Sequence, residues 1–178
     1  MDAHVASEFR LGSPAVDDAR SIKDAHELDL MRAASSVNDQ AMAWLRAQLH
    51  EGVTEHEIAS GLLAEYRRLG AQEHSFSPIV SFGANAADPH HEPDGTRLCA
   101  GDVALFDVGC KRSSYCSDMT RTFFFGGEPS ERDREVYEAV RRANEAAEAL
   151  IAPGVRMCDL DRAARDVIED AGYGKYFT

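Results

Sequence analysis

The sequence predicts an α+β fold in which helices pack on one face of an antiparallel sheet, and three observations carry that prediction. Apolar residues recur at a helical period through two early segments; the middle of the chain switches to short strand-like runs around a turn-rich loop; helical periodicity then returns to the end. Runs of helix and runs of strand kept apart, without strict alternation, are the pattern of an α+β architecture.

The elements follow in order. The first two dozen residues are polar and Asp-rich and contain Gly12 and Pro14, which marks residues 1–24 as a lead-in or linker. From about His26 to Leu49, Leu30, Ala34, Val37, Ala41, Trp44 and Leu45 recur at helical spacing. Gly52 breaks that helix, and Thr54 with Glu57 forms the S/T-x-x-E box that starts the next. Its stripe is Ile58, Leu62, Tyr66 and Leu69, and it stops at Gly70. "SFSPIVSFG" is a short strand and "NAADPHHEPDGTR" a loop with two prolines. "DVALFDVG" and "YCSDMTRTFFF" are two strands joined by a polar turn around Lys111 to Ser114. Ser130 caps a further helix whose face is Val136, Val140, Ala143, Ala147 and Leu150. Pro153-Gly154 ends it, and a last helix carries Leu160, Ala164, Val167 and Ile168 before Gly172.

Composition narrows the function classes. At 178 residues with 44% hydrophobic content the chain is long enough for a real core. A net charge of −12 argues against nucleic acid or an anionic membrane as partner, since either needs a basic surface. No apolar run approaches a membrane span, and the N-terminus lacks the plan of an export signal, so a cytoplasmic location is expected. Cys99, Cys110, Cys116 and Cys158 form no C-x-x-C pair and are expected as reduced thiols.

The last two helices resemble the first two. "GVTEHEIASGLLAEYRRLG" (Gly52–Gly70) aligns without gaps on "GVRMCDLDRAARDVIEDAG" (Gly154–Gly172), which suggests a duplicated unit. Any two amphipathic helices with glycine stops share part of that pattern. On the duplication reading, residues 25–178 form one partial domain, with a first repeat over 25–125 and an incomplete second over 126–178. A half-built sheet would leave an edge and an apolar face open, so a fragment, or a chain completed by a partner, is expected.

The chemistry concentrates in "FDVGCKRSSYCSDMTRT". A hairpin centred between Arg112 and Ser113 pairs Asp107 directly with Asp118, on one face and with Cβ atoms about 4.5–5.5 Å apart. Carboxylates that close repel, and a shared divalent cation removes the conflict. A bulge or a different register would separate them.

"FDVGCKRSSYCSDMTRTFFFGGEPSERDREVYEAV" resembles the Xaa-Pro aminopeptidase and prolidase branch of the metallopeptidases with the pita-bread fold, which methionine aminopeptidase and creatinase share. The resemblance runs from about Arg20 to Thr178 and implies the first half of a pita-bread catalytic domain. It implies Asp107 and Asp118 as the first two ligands of a dinuclear centre of Mn²⁺, Co²⁺ or Zn²⁺, where an acidified water attacks a peptide carbonyl. "SFGANAADPHHEP" resembles the loop with the family's substrate-binding histidine and selects His90, leaving His91 on a variable position. The implied substrate is a peptide with proline at its second position.

The family's other ligands, one histidine and two glutamates, belong to a second half, and the segment that would carry them is not in this sequence. The chain is therefore expected to hold one ion weakly at most and to be inactive alone. A non-catalytic pita-bread binding module and one half of a split enzyme are the alternatives. A homodimer or a complementing second half is the partner the unfinished sheet favours.

Overall fold

Residues 12–177 are described in a computed structural model. Of the expected lead-in, residues 1–11 lie outside the described part. The remainder forms helix α1 (Ser13–Ser21), which has proline in its first turn and buries no residue. Helix α2 (Ala25–Ala47) opens on a capping box in which Asp24 accepts from the Glu27 amide and Glu27 accepts from the Asp24 amide. Helix α3 (Glu55–Arg68) opens on the expected Thr54–Glu57 box and ends at Gly70, whose φ of +91° suits a residue without Cβ.

Six strands follow: β1 (Glu73–His74), β2 (Ile79–Phe82), β3 (Val103–Val108), β4 (Cys110–Arg112), β5 (Tyr115–Cys116) and β6 (Met119–Phe124). They form two antiparallel three-stranded sheets, ordered β2-β3-β6 and β1-β4-β5. The sequence predicts two continuous strands around the polar turn. The first matches β3 and gives way at Gly109 to the further strand β4, and the second is broken at Ser117–Asp118.

The physical reason is a knot of contacts at Gly109. A Cβ there would lie 2.1 Å from the Ser117 carbonyl and 2.2 Å from Ser75 Oγ, so only glycine allows the approach. Ser75 Oγ donates to the Ser117 carbonyl at 2.8 Å, and the Cys110 amide donates to Ser117 Oγ at 3.0 Å. These bonds claim groups that a continuous ladder would pair, and β4 and β5 turn away to join β1.

Burial alternates along β3. Ala104, Phe106 and Val108 are buried, while Val103, Leu105 and Asp107 are only half-buried. The buried face, with Val80 and Phe82, packs on Val37, Ala41, Leu45, Ile58, Leu62 and Tyr66 of α2 and α3. Each large side chain so enclosed contributes about 1.5–3 kcal/mol. A polar link crosses this core: Tyr66 donates to Asn38 Oδ1 at 2.6 Å, and Asn38 Nδ2 donates to the Val108 carbonyl at 3.0 Å. Asp107, adjacent to Val108, stands on the opposite face of the sheet.

The chain divides between Gly126 and Gly127 into two units. The second holds α4 (Glu131–Glu148), capped by Ser130 with Asp133, and α5 (Met157–Asp170). Ala139, Ala143 and Ile168 pack together between them. The expected apolar face of α4 is only partly covered. Val136 and Val140 are 37% and 56% exposed and line an open groove with Ile168, Tyr173 and Phe177. The bounds of α5 lie 102 residues after those of α3, Glu55 to Met157 and Arg68 to Asp170. The matched glycines share a positive φ: +80° at Gly52 and +89° at Gly154, +91° at Gly70 and +82° at Gly172.

Candidate metal centre

The outer face of the β2-β3-β6 sheet positions the carboxylates. Asp107 sits near the end of β3, opposite Ile79 on one side and Thr120 on the other. This corrects the direct pairing of Asp107 with Asp118. The turn is centred between Ser113 and Ser114, both at positive φ (50° and 69°), which moves the partner of Asp107 from Asp118 to Thr120. Asp118 lies in the break just before β6, two residues ahead of Thr120 and so diagonal to Asp107 on the same face.

The two carboxylates still meet. Asp107 is held above the usual carboxylate range, first by burial, then by the charge of Asp118 and a side-chain hydrogen bond with it, while a bond from Thr120 opposes the rise. Asp107 Oδ1 is buried and has no hydrogen-bond partner among the described residues. An orphaned carboxylate oxygen of that kind costs about 1–3 kcal/mol. A divalent cation shared with Asp118 would occupy the free lone pair and neutralise the repulsion, and an all-oxygen donor pair suits a hard or borderline ion. The residues present fit part of a metal site.

His90 lies elsewhere in the same unit, exposed in the loop that leaves β2 at Phe82, and its amide donates to Asp88 Oδ1 at 2.9 Å. Its neighbour His91 turns inward, with Nε2 at 2.6 Å from Glu55 Oε2. Glu55, fully buried in the first turn of α3, also accepts from the amides of Phe82 (2.7 Å) and Asp94 (3.1 Å) and from Asn85 Nδ2 (3.0 Å). Ligand atoms of Glu55, His91 and Asp94 lie within 4.8 Å of one another, close enough to hold one ion. The sequence singles out neither Glu55 nor His91: an acid in a helix's first turn, as Glu55 is, is already explained by the helix dipole, and His91 falls on a variable position of its loop. Cys99, Cys110, Cys116 and Cys158 are all free thiols.

Comparison with known proteins decides the family. The sequence profile of metallopeptidase family M24 matches residues 29–178. The chain belongs to metallopeptidase family M24. An uncharacterized peptidase of Staphylococcus epidermidis is 39% identical over 163 residues, covering 92% of this chain and 46% of that protein. The prolidase from Pyrococcus furiosus superposes with a TM-score of 0.90 at 32% identity, over 93% of this chain and 49% of that one. The X-Pro aminopeptidase from Thermotoga maritima gives 0.87 at 34%, over 91% and 46%. The M24 chain thus has the α+β architecture of the pita-bread prolidase fold and spans about half the length of the relatives it matches. Among the described residues no helix is long and apolar enough to cross a membrane.

Proposed function

We propose that the chain forms part of a metal-dependent peptidase of Xaa-Pro aminopeptidase or dipeptidase type, acting in the cytoplasm on peptides with proline at the second position. The observation that carries this reading is the buried, partnerless Oδ1 of Asp107 beside the Asp118 carboxylate. In the full site Asp107 and Asp118 hold the divalent ions, Mn²⁺, Co²⁺ or Zn²⁺. When bound, such ions supply Lewis acidity and an acidified water for attack on a peptide carbonyl. His90, exposed on its loop, hydrogen-bonds the substrate or the developing tetrahedral oxygen. Asp107 lies on the sheet face away from α2 and α3. In this reading residues 25–125 are the first repeat of the catalytic domain and 126–178 the start of the second.

Two carboxylates alone give weak binding of a single ion, so the isolated chain is inactive and added Mn²⁺ does not restore turnover. The open apolar groove on α4 and α5 favours completion by a complementing second half or a homodimer partner. Titration calorimetry with Mn²⁺ tests the site: the wild-type chain gives weak binding that Asp107→Asn removes. Equal heats from both proteins would overturn the assignment of Asp107. Metal-dependent cleavage of an Xaa-Pro dipeptide by the purified chain would overturn its inactivity.

A further inference from the structure

We infer that Glu55 is a positioning residue, a buried carboxylate whose hydrogen bonds tie both ends of the loop after β2 to the start of α3 and so hold His90 outward. The inference rests on the reading of His90 as the residue that meets substrate.

The bonds span the loop. Phe82 and Asn85, where the chain leaves β2, donate to Oε1, and His91 and Asp94, where it returns, donate to Oε2. Glu55 is 0% exposed, so its charge has no water to lean on and depends on these donors. The returning segment is fastened again through backbone bonds from the His56 amide to the Asp94 carbonyl (2.9 Å) and from the Leu98 amide to the Val53 carbonyl (2.9 Å). His90 and His91 are consecutive, and His91 is drawn inward onto Glu55 while His90 is exposed.

A cation held by Glu55, His91 and Asp94 is the competing use of the cluster. Both Glu55 oxygens already accept two N–H donors each, two of the four being backbone amides that cannot swing aside. With Glu55 ionised its carboxylate accepts only, and the tautomer that fills the bond is the one with the proton on His91 Nε2. A metal there would have to displace that proton as well as the fixed amides. The geometry is that of a clamp.

The test uses the chain itself with Glu55→Gln and His91→Ala, read by amide hydrogen exchange and by the imidazole ¹⁵N signals of His91. Gln keeps the shape of Glu55 but sets an NH₂ group against N–H donors. His91→Ala removes one bond from a partly exposed site and leaves the helix start intact. In both variants the amides of Asp88, His91 and Asp94 are expected to exchange about tenfold faster or more, the value of one charge-assisted hydrogen bond. Amides of Phe106 and Val167 are expected to stay within about twofold of wild type, the range in which bonds remote from a lost contact stay unaffected. Wild-type His91 is expected to show a protonated Nε2. Unchanged loop exchange in both variants overturns the clamp. So does a uniform rise across the first unit in Glu55→Gln with no loop change in His91→Ala, which would make Glu55 a folding residue only. A Mn²⁺-induced shift of the His91 signals that Glu55→Gln abolishes overturns it in favour of a metal site.

In the enzyme with its full ligand set, Glu55→Gln and His90→Ala are expected to raise KM by similar factors and to be non-additive together. If His90→Ala leaves KM and kcat unchanged while the exchange results hold, the clamp stands and the substrate role of its loop fails.

Discussion

Replacing Asp107 with Asn is expected to stabilise the metal-free chain while removing its response to metal. The wild-type carboxylate has a buried oxygen without a partner and a second carboxylate beside it. Asn removes the charge, and its amide can donate to Asp118, relieving a penalty of about 1–2 kcal/mol at neutral pH. The pH dependence follows from the direction of the shift. Burial first, and Asp118 second, raise Asp107 above its ordinary value of 3.8, so the folded chain binds that proton more tightly than the unfolded chain. The stability this supplies is full below 3.8 and is lost as pH rises through the raised value. The advantage of Asp107→Asn is therefore absent at low pH and complete at neutral pH. Urea unfolding in EDTA measures it through Trp44, the sole tryptophan, which packs on the core of the first unit. Mn²⁺ at ten times its Kd should then add about 1.4 kcal/mol to wild type and nothing to the variant. A variant less stable than wild type in EDTA at neutral pH, or one that gains equally from Mn²⁺, would refute the reasoning.

Further outcomes follow from the same structure. Gly109→Ala drives a methyl into the Ser117 carbonyl and displaces the Ser75 hydroxyl, and should cost about 2–4 kcal/mol in urea unfolding, against no measurable loss for Gly95→Ala, where space is open. Thr54→Ala removes the hydroxyl that accepts from the Glu57 amide at 3.1 Å and should cost about 1 kcal/mol by the same assay. His74 is held below its ordinary value of 6.5, first by burial and then by Arg67, so the stability it supplies is present above that value and is lost as pH falls. The stability of the first unit should accordingly fall between neutral pH and pH 5, and His74→Phe should flatten that slope.

The helices could be read from the sequence because their determinants are local. The Thr54–Glu57 box and the Gly70 stop sit within one turn of the ends they define, and Ile58, Leu62 and Tyr66 repeat at helical spacing. The strand breaks could not be read that way. Gly109 is required by Ser75 and Ser117, and the contact with Ser75 joins segments far apart in sequence. The open face of α4 also had no local sign, because Val136 and Val140 carry the same pattern whether or not a sheet covers them. Glu55 was hidden for a related reason: its donors come from Phe82, Asn85, His91 and Asp94, and a first-turn acid suggests nothing about them.

The carboxylate pair shows why an inexact register can still locate a site. The turn centre lies one whole residue beyond the expected position, so every residue of β3 exchanges its partner for one two places further along. Side chains alternate with a period of two, and a shift of two keeps them on the same face. Asp118 therefore moves from directly opposite Asp107 to the diagonal, still within reach of its carboxylate. A shift of one residue would have turned Asp118 to the other face and left Asp107 alone. What positions the site is thus parity along the strand, together with the break at Gly109 and Ser117 that lets Asp118 approach from just outside β6. An insertion of one residue between Ser113 and Ser114 should then abolish Mn²⁺ binding unless a bulge absorbs it, while an insertion of two should retain it. Calorimetry on the two insertions separates this account from one in which the exact cross-strand partner matters, because that account expects both insertions to lose the ion.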